Sequence, residues 1–334
     1  MRSCLSKFLS IVLFAAGLAT FGFASPLASK LLSLVPANSE IVAGFENRHD
    51  PHSSGRLVLA TQNNRLDLED WVSLSGVDTT RIFDEVIEVS SSSARGELKE
   101  HLLLIAGHFD GRRIFSSAKL NGAEISDYEG EKVLLIKPFA REQGQMLDER
   151  WLIILNDQTG LLGTPVLVQE ALHRYARHAS PDTILTERLA RMRPDVTSWN
   201  VLVSSNTVAN NVAFVRSHAS WTQLFEDAEL LTVGARFGSK IRVDFAIQPR
   251  KGSEAADFSQ KAEYFSQMFV EPAAAEDDIP SQASRPRLEN FTVGPSRVQG
   301  SIALSEKQFN RWISAATLIQ ISHAPARTAT TPLN

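Results

Sequence analysis

Two histidines and an aspartate in one short segment are the residues best suited to binding a metal ion: His49, Asp50 and His52. Imidazole nitrogens and carboxylate oxygens are common zinc ligands, but a site needs them held on a rigid frame. The segment spans 47–55 and is rich in Asn, Pro, Ser and Gly, the residue types that form turns. We therefore interpret it as a polar loop, and we expect neither a metal site nor a cofactor.

Ser116 and Lys119 have the Ser-x-x-Lys spacing of penicillin-recognising enzymes, in which the lysine helps to activate the serine. That family also needs Ser-Asp-Asn and Lys-Thr-Gly elements, which this chain lacks. The Gly-x-Ser-x-Gly elbow, the Gly-x4-Gly-Lys-Ser/Thr phosphate loop and the His-Glu-x-x-His motif are absent as well. Active sites are also assembled from distant positions, so a hydrolase-type enzyme stays open as the alternative to a protein without catalytic activity.

Five basic side chains on two consecutive predicted helices form the remaining candidate site: Arg174, Arg177, His178, Arg188 and Arg191. The first three follow i, i+3, i+4 spacing and share one face of their helix, away from its apolar residues. If the two helices pair antiparallel, the five residues form a basic patch suited to phosphate or carboxylate groups. The alternative is a solvated face on which Glu187 pairs with Arg191 within the helix.

An uncharged apolar run of seventeen residues, Phe8–Ala24, lies near the start of the chain. Arg2 and Lys7 precede it, and it ends in the small-x-small triplet 22–24, which is the order of a secretory signal peptide. We expect cleavage after Ala24, which makes 1–24 the signal peptide and places the protein in the periplasm or cell envelope. An uncleaved membrane anchor is the alternative, although seventeen residues is at the short end for a bilayer span.

Cleavage would leave a mature chain without cysteine, because Cys4 is the only one. Disulfides, a thiolate nucleophile and cysteine-ligated metals are then excluded, and lipidation is not expected because Cys4 precedes the apolar run. Loss of Arg2 and Lys7 changes the net charge from −4 to −6. An acidic chain lacks the basic surface that nucleic acids require, so we expect no nucleic-acid partner. A membrane contact is expected only through an uncleaved leader.

Hydrophobic periodicity predicts an α+β fold with largely antiparallel sheets and helices on one face. Strands are predicted over 39–46, 56–61, 86–90, 101–108, 124–128, 132–137, 151–156, 160–163, 199–205, 230–237, 240–248, 289–293 and 297–304. Helices are predicted over 67–75, 111–120, 164–178, 183–192, 220–227, 253–269 and from 305. Thr164 is expected to cap the helix that follows it, and 305–308 form a capping box at the start of the last helix. The apolar run in the strand at 101–108 predicts burial of both of its faces. In the predicted strand at 240–248, Ile241, Val243, Phe245 and Ile247 alternate strictly with Arg242, Asp244, Ala246 and Gln248. One face of this strand should therefore be core, and the other wet or only partly covered.

The same order of elements occurs twice, which indicates a tandem duplication. A helix, two strands, a helix and a hairpin follow one another within 31–205, a half that ends in a helical pair at 164–193, and again within 206–320. Both opening helices carry Trp-x-x-Leu, at Trp71 and Trp221. The alternative is a chance succession, because such orders are common among α+β proteins. Residues 321–334 are expected to form a disordered tail, and 271–287 a Pro-rich and Ala-rich loop.

The start of the mature region carries a Leu-x-x-Val-Pro stretch, Leu32 to Pro36, followed by an apolar strand. In this stretch and in its order of elements, the chain resembles exported bacterial proteins of unknown function. The resemblance implies an exported protein without catalytic activity and assigns a role to no residue.

These observations lead to one functional expectation and its alternatives. We expect an exported cell-envelope protein that binds a partner without catalysis, the partner being an envelope protein, a lipid or a glycan. The alternatives are a hydrolase-type enzyme with an unrecognised site and an envelope protein tethered by an uncleaved leader.

Overall fold

The computed structural model describes residues 29–46, 83–92, 98–120, 123–137, 139–140, 146–147, 149–193, 195–203, 227–237, 240–250, 252, 255–267, 287–294 and 296–308. Several predictions lie outside these residues: the leader, the His49–His52 loop, the strand at 56–61, the helix at 67–75, nearly all of the helix at 220–227, the loop at 271–286 and the tail at 321–334. They stay predictions.

A single large sheet dominates the described chain. Its twelve strands are β1 (Ile41–Glu46), β2 (Phe83–Ser92), β3 (Leu98–Gly107), β4 (Glu124–Tyr128), β5 (Glu131–Ile136), β8 (Arg150–Asn156), β9 (Thr159–Gly163), β10 (Ser198–Val203), β11 (Ala228–Arg236), β12 (Ile241–Pro249), β13 (Arg287–Gly294) and β14 (Arg297–Leu304). A separate pair consists of β6 (Phe139–Ala140) and β7 (Met146–Leu147). The large sheet has the order β13-β14-β12-β11-β10-β1-β2-β3-β9-β8-β5-β4. All of its neighbouring strands pair antiparallel, which confirms the predicted α+β class.

Helices cover both faces of this sheet, whereas the sequence predicted them on one face. The described ones are a 3-10 helix (Lys30–Leu34), α1 (Gly111–Leu120), α2 (Pro165–Ala176), α3 (Thr183–Ala190) and α4 (Ala255–Gln267). Helices α1 and α4 lie on one face, where Ile114 clusters with Leu103 and Phe258 clusters with Leu231. The pair α2 and α3 packs with Leu102 and Leu104 on the opposite face, since successive strand residues point to opposite sides. We call this second side the helical-pair face.

The centre of the sheet is the pairing of β1 with β10. Ala43 lies opposite Asn200 and Gly44 opposite Trp199 in this antiparallel pair. Gly44 is required there, because a Cβ at this position would lie 2.1 Å from Cε2 of Trp199. On either side of this centre the chain forms three antiparallel strands and then a helix, α1 or α4. The strand that ends each half, β9 or β14, then pairs beside the third strand. This repeated path is compatible with the duplication, which stays a prediction.

The core on the helical-pair face lies mainly in the first half of the sheet. Leu102, Leu104 and Leu161 have no exposed surface there and pack under α2 and α3. Leu32 and Val35, from the Leu-x-x-Val-Pro stretch, belong to the same cluster through the 3-10 helix. The predicted burial of both faces of β3 is confirmed, since Leu103 and Ile105 are also buried on the other side. The helical pair is therefore fixed to the first half by a large apolar interface.

Local details confirm most of the predicted boundaries and correct one. Thr164 precedes α2 as predicted, but its hydroxyl makes no capping bond to the helix and lies 3.4 Å from the carbonyl oxygen of His101 instead. Asp182 caps α3 by accepting from the amide of Leu185 at 2.8 Å. The predicted capping box at Ser305 is confirmed by reciprocal bonds with Gln308. Among the described helices, none is both long and apolar enough to cross a membrane.

Candidate functional site

The helical-pair face is polar in the second half of the sheet. Thr232 on β11 pairs with Ala246 on β12, which in turn pairs with Gln299 on β14. Two residues further along β11, Gly234 pairs with Asp244, which pairs with Ser301. Directly paired residues share a face, so these rows form a polar surface continuous with the apolar face under α2. The partly covered face predicted for β12 is confirmed, since Arg242 and Asp244 are partly exposed and Gln248 is exposed.

The chain after α3 crosses this polar surface at its inner edge. Val196 is buried and lies directly over β11, because Gly234 has no side chain there and a Cβ would lie 3.0 Å from a methyl carbon of Val196. This close approach places the C-terminal end of α3, with Arg188 and Arg191, beside the strands. A cleft of about 230 Å³ lies between them.

The cleft combines cationic, amide and hydroxyl side chains. Its lining residues include Arg191, Arg193, Arg242, Asp244, Asn290, Arg297, Gln299 and Ser301, and an adjoining recess of about 20 Å³ adds Arg188 and Gln248. The two share Arg191 and Arg297, so they form one continuous depression. Five of the lining residues are arginines and one is an aspartate, in a chain whose net charge is −4.

One wall of the cleft is a connected network of charged pairs. Arg236 donates to Asp195 at 2.8 Å and to Asp244 at 3.1 Å, and its side chain is 17% exposed. Ser301 donates to the second oxygen of Asp244. Burial alone would raise the pKa of Asp195, but hydrogen bonds from Arg236 and Arg193 outweigh it and hold this pKa below its usual range. The network therefore keeps the carboxylate of Asp195 ionised.

Arg242 is also paired, with Glu289 on the edge strand β13. Arg242, which lines the cleft, and Arg236, which holds Asp244 in its wall, therefore already have carboxylate partners. The remaining guanidinium groups decide what the cleft can bind.

Three arginines around the cleft have no side-chain hydrogen bond or ion pair with any described residue: Arg188, Arg191 and Arg297. Burial lowers the pKa of Arg297, and repulsion from Arg191 lowers it further. Burial likewise lowers the pKa of Arg188; attraction from Asp182 and Glu229 opposes this, and Arg191 again repels. Three cations from α3 and β14 thus converge, and although Asp182, Glu229 and Glu187 attract Arg188, none of the three arginines forms an ion pair with a described carboxylate.

The five sequence-predicted binding residues divide between two places. Arg188 and Arg191 line the cleft and its recess. Arg174 instead links backbone segments, donating to the carbonyl oxygen of Ser33 at 2.8 Å and to that of Ser180 at 2.7 Å. Arg177 and His178 are exposed at the C-terminal end of α2 and do not line the cleft. The predicted patch is therefore not brought together as one surface.

Sequence reasoning missed the arginines that the strands contribute, Arg242 and Arg297. The alternation in β12 marked a wet face, and Arg297, Gln299 and Ser301 show the same period-2 pattern in β14. Nothing in the sequence indicated that these two strands are neighbours, because the segment from 250 to 296, which includes β13, separates them.

The described residues contain no recognisable catalytic centre. Ser116 and Lys119 are exposed on α1, on the face opposite the cleft. Ser301 contacts the carboxylate of Asp244, and no described histidine lines the cleft beside them to act as a general base. No group of three or more metal-ligating side chains occurs among the described residues. What this geometry can do chemically is hold an anion.

Comparisons with known proteins give information on the fold but not on the function. No family model matches the sequence, and no curated protein matches it. Among solved structures, crystal form I of TP0453 is similar, with a TM-score of 0.52 over 86% of this chain and 97% of that one. The two sequences are 10% identical, so the likeness concerns the path of the chain and carries no residue role across.

Proposed function

We propose that the chain is an exported cell-envelope protein that binds an anionic ligand in the arginine-lined cleft and does not transform it. The observation that carries this proposal is the convergence of Arg188, Arg191 and Arg297, without described ion-pair partners, around a depression of about 230 Å³. Guanidinium groups present paired N–H donors that match phosphate and carboxylate oxygens, and a cluster of them attracts anions.

The cost of building such a cluster also supports a binding role. Like charges brought together and half-buried destabilise the folded state unless something neutralises them. The other two arginines of the surrounding strands, Arg236 and Arg242, are neutralised by carboxylates within the chain. An external anion would do the same for the three that are left.

Export is proposed from the leader at 1–24, whose order of basic, apolar and small residues is that of a signal peptide. The partner carrying the anion would then be an envelope protein, a lipid or a glycan. N-terminal sequencing of the protein from the cell envelope tests this part: Ser25 as the first residue supports export with cleavage, and Met1 would mean a tether.

Anion binding is tested by titrating the purified protein with pyrophosphate, citrate and inositol hexakisphosphate in a calorimeter. The triple variant Arg188→Gln, Arg191→Gln, Arg297→Gln should lose at least about 30-fold in affinity for whichever probe binds, since charge-assisted bonds are the strong ones. A matched triple variant on the opposite face, Arg112→Gln, Arg113→Gln, Lys119→Gln, removes the same charge from exposed positions of α1. Equal losses in both variants, or no binding to any probe, would refute the proposal.

A further inference from the structure

We propose that the group recognised in the cleft is a terminal phosphoryl dianion, carried on a hydroxylated organic group, and that carboxylates are poor ligands. This inference rests on the proposed function and names the chemical class of its ligand. It follows from the number and directions of the free donors, from the charge they leave unbalanced, and from the neutral polar groups beside them.

The number of donors exceeds what a carboxylate can accept. One guanidinium fork saturates the two oxygens of a carboxylate in a planar, bidentate pair. The cleft offers three unpaired guanidinium groups from two directions, Arg188 and Arg191 from the end of α3 and Arg297 from β14. A terminal phosphoryl group has three oxygens spread around phosphorus, so it can accept from three sides at once.

The charge of the three arginines also indicates a phosphoryl ligand. Arg191 repels both Arg188 and Arg297, so a ligand must offset the mutual repulsion of three cations. A carboxylate brings one negative charge, whereas a phosphate monoester brings about −1.5 to −2 at neutral pH. Asp244 and Glu289 are held by Arg236 and Arg242, and the attraction from Asp182, Glu229 and Glu187 acts on Arg188 but not on Arg297, so a net positive charge is left for a ligand.

The rest of the cleft is neutral and polar. Gln299 and Asn290 are exposed at its lining and carry amide groups that can donate and accept. A volume of about 230 Å³ corresponds to roughly seven to eight waters at ~30 Å³ each. That is enough for a phosphoryl group and the first few atoms of what carries it, and a hydroxylated carrier such as glycerol or a sugar would match the amides.

The first experiment compares glycerol 3-phosphate, glycerate and glycerol sulfate as calorimetric titrants of the purified protein. We expect the phosphate to bind at least about tenfold more tightly than glycerate. Its affinity should also rise several-fold between pH ~5.5 and ~7.5, because the second ionisation of a phosphate ester lies near pH ~6. The sulfate ester has a fixed charge and should show a flat profile over the same range.

The groups facing the cleft do not mimic this pH profile. The charged side chains that line the cleft and its recess are Asp244 and five arginines. Asp195 and Glu289 pair with Arg193 and Arg242, and Asp182, Glu187 and Glu229 act on Arg188. No described histidine lines the cleft. Carboxyl groups ordinarily titrate near pH ~4 and guanidinium groups above ~12. The ester is then the group whose charge changes.

Two variants separate fork geometry from charge. Arg297→Lys keeps the cation but loses the planar fork, and should weaken glycerol 3-phosphate binding about tenfold. Arg112→Lys on the opposite face is the matched control and should have no effect.

The source of the phosphate is distinguished with vesicles. Competition by glycerol 3-phosphate for binding to phosphatidic acid vesicles indicates a lipid head group. Binding of the free ester without vesicle binding indicates a soluble ligand.

The outcomes separate this inference from the function on which it rests. Glycerate or citrate binding as tightly as the phosphate ester, through the same three arginines and without pH dependence, would overturn the phosphoryl class and leave an anion-binding protein. Failure of every anion to bind would overturn both.

Discussion

Two regions of one sheet face differ completely in what they do. In the first half of the helical-pair face, Leu104 and Leu161 are fully buried under α2 and α3. In the second half, the corresponding positions across the strands carry Thr232, Asp244 and Ser301, and the described helices leave them lining a cleft. Apolar burial stabilises the fold in one half, and charge is arranged for a ligand in the other.

The polar half tolerates its charges because most of them are paired within the chain. Arg236 bridges Asp195 and Asp244, which links the segment after α3 to the strands in addition to the contact of Val196 with β11. The opposite face of this half of the sheet still contributes to the core, where Ile247 and Val298 pack against α4. Among the described residues, the apolar core in this half therefore lies on the side of α4, and the side with the cleft is polar.

The largest difference between the two regions should appear when buried volume is removed. Leu104→Ala should lower the free energy of unfolding by about 2–5 kcal/mol, because a fully buried leucine leaves a cavity. Thr232→Ala, in the polar half, should change it by less than about 1 kcal/mol. Urea denaturation measures both, and a cost for Thr232→Ala that matched that of Leu104→Ala would contradict the comparison.

The covered half also contains a carboxyl group whose titration should affect stability. Burial raises the pKa of Glu85 to about 7; a hydrogen bond from Ser29 opposes this, and Glu46 on the neighbouring strand adds to it. The folded state thus holds a proton that the unfolded chain releases near pH ~4.5. The contribution of protonated Glu85 to the free energy of unfolding is therefore fully present below that pH, and it is lost as the pH rises through about 7.

The expected loss is about 2 kcal/mol between pH ~4.5 and ~7.5, and Glu85→Gln should remove most of this slope. Urea denaturation at several pH values measures it. Asp84→Asn, at the exposed neighbouring position, is the control and should keep the slope. A slope that is unchanged in Glu85→Gln would show that another group is responsible.

The paired network in the polar half should show a smaller cost. Asp244→Asn should lower the free energy of unfolding by about 1–2 kcal/mol, because Arg236 loses a charged acceptor and is only 17% exposed. The double variant Arg236→Gln, Asp244→Asn should recover part of that loss, since no cation is then left without one of its partners. Additive costs in this double-mutant cycle would mean that the two side chains are not coupled.

The smallest effect on stability is expected for the unpaired arginines. Arg297→Gln should leave the free energy of unfolding within about 0.5 kcal/mol of the parent, or raise it slightly, because repulsion from Arg191 is relieved. Ligand affinity should fall nonetheless. A large loss of stability on thermal unfolding would assign Arg297 to the packing of the sheet and remove it from the site.

Local patterns predicted the elements well because their causes are local. The bounds of α1 match the predicted helix at 111–120, and the turn between β4 and β5 has positive φ at Glu129 and Gly130, as a tight hairpin requires. Both faces of β3 are apolar in sequence and both are buried. The order in which strands pair could not be predicted, and neither could the crossing of β14 to the far side of β12.

Only part of the candidate site could be predicted, because only part of it depends on local spacing in the sequence. Helical spacing identified Arg188 and Arg191, but it also included Arg174, whose backbone acceptors Ser33 and Ser180 lie in other segments. Arg297 reaches the cleft through the register that places Ser301 opposite Asp244, 57 residues away in sequence. Contacts over such separations depend on the assembled sheet, and no periodicity encodes them.

The central claim, that the polar half of this face holds an anion through unpaired arginines, is tested most directly by arginine footprinting. The protein is treated with phenylglyoxal with and without saturating glycerol 3-phosphate, and modification is quantified at each arginine by mass spectrometry. We expect Arg191 and Arg297 to react freely and to be protected several-fold by the ester, while Arg112 and Arg113 on α1 react equally in both samples. Equal modification of Arg191 and Arg297 with and without the ester would contradict the claim.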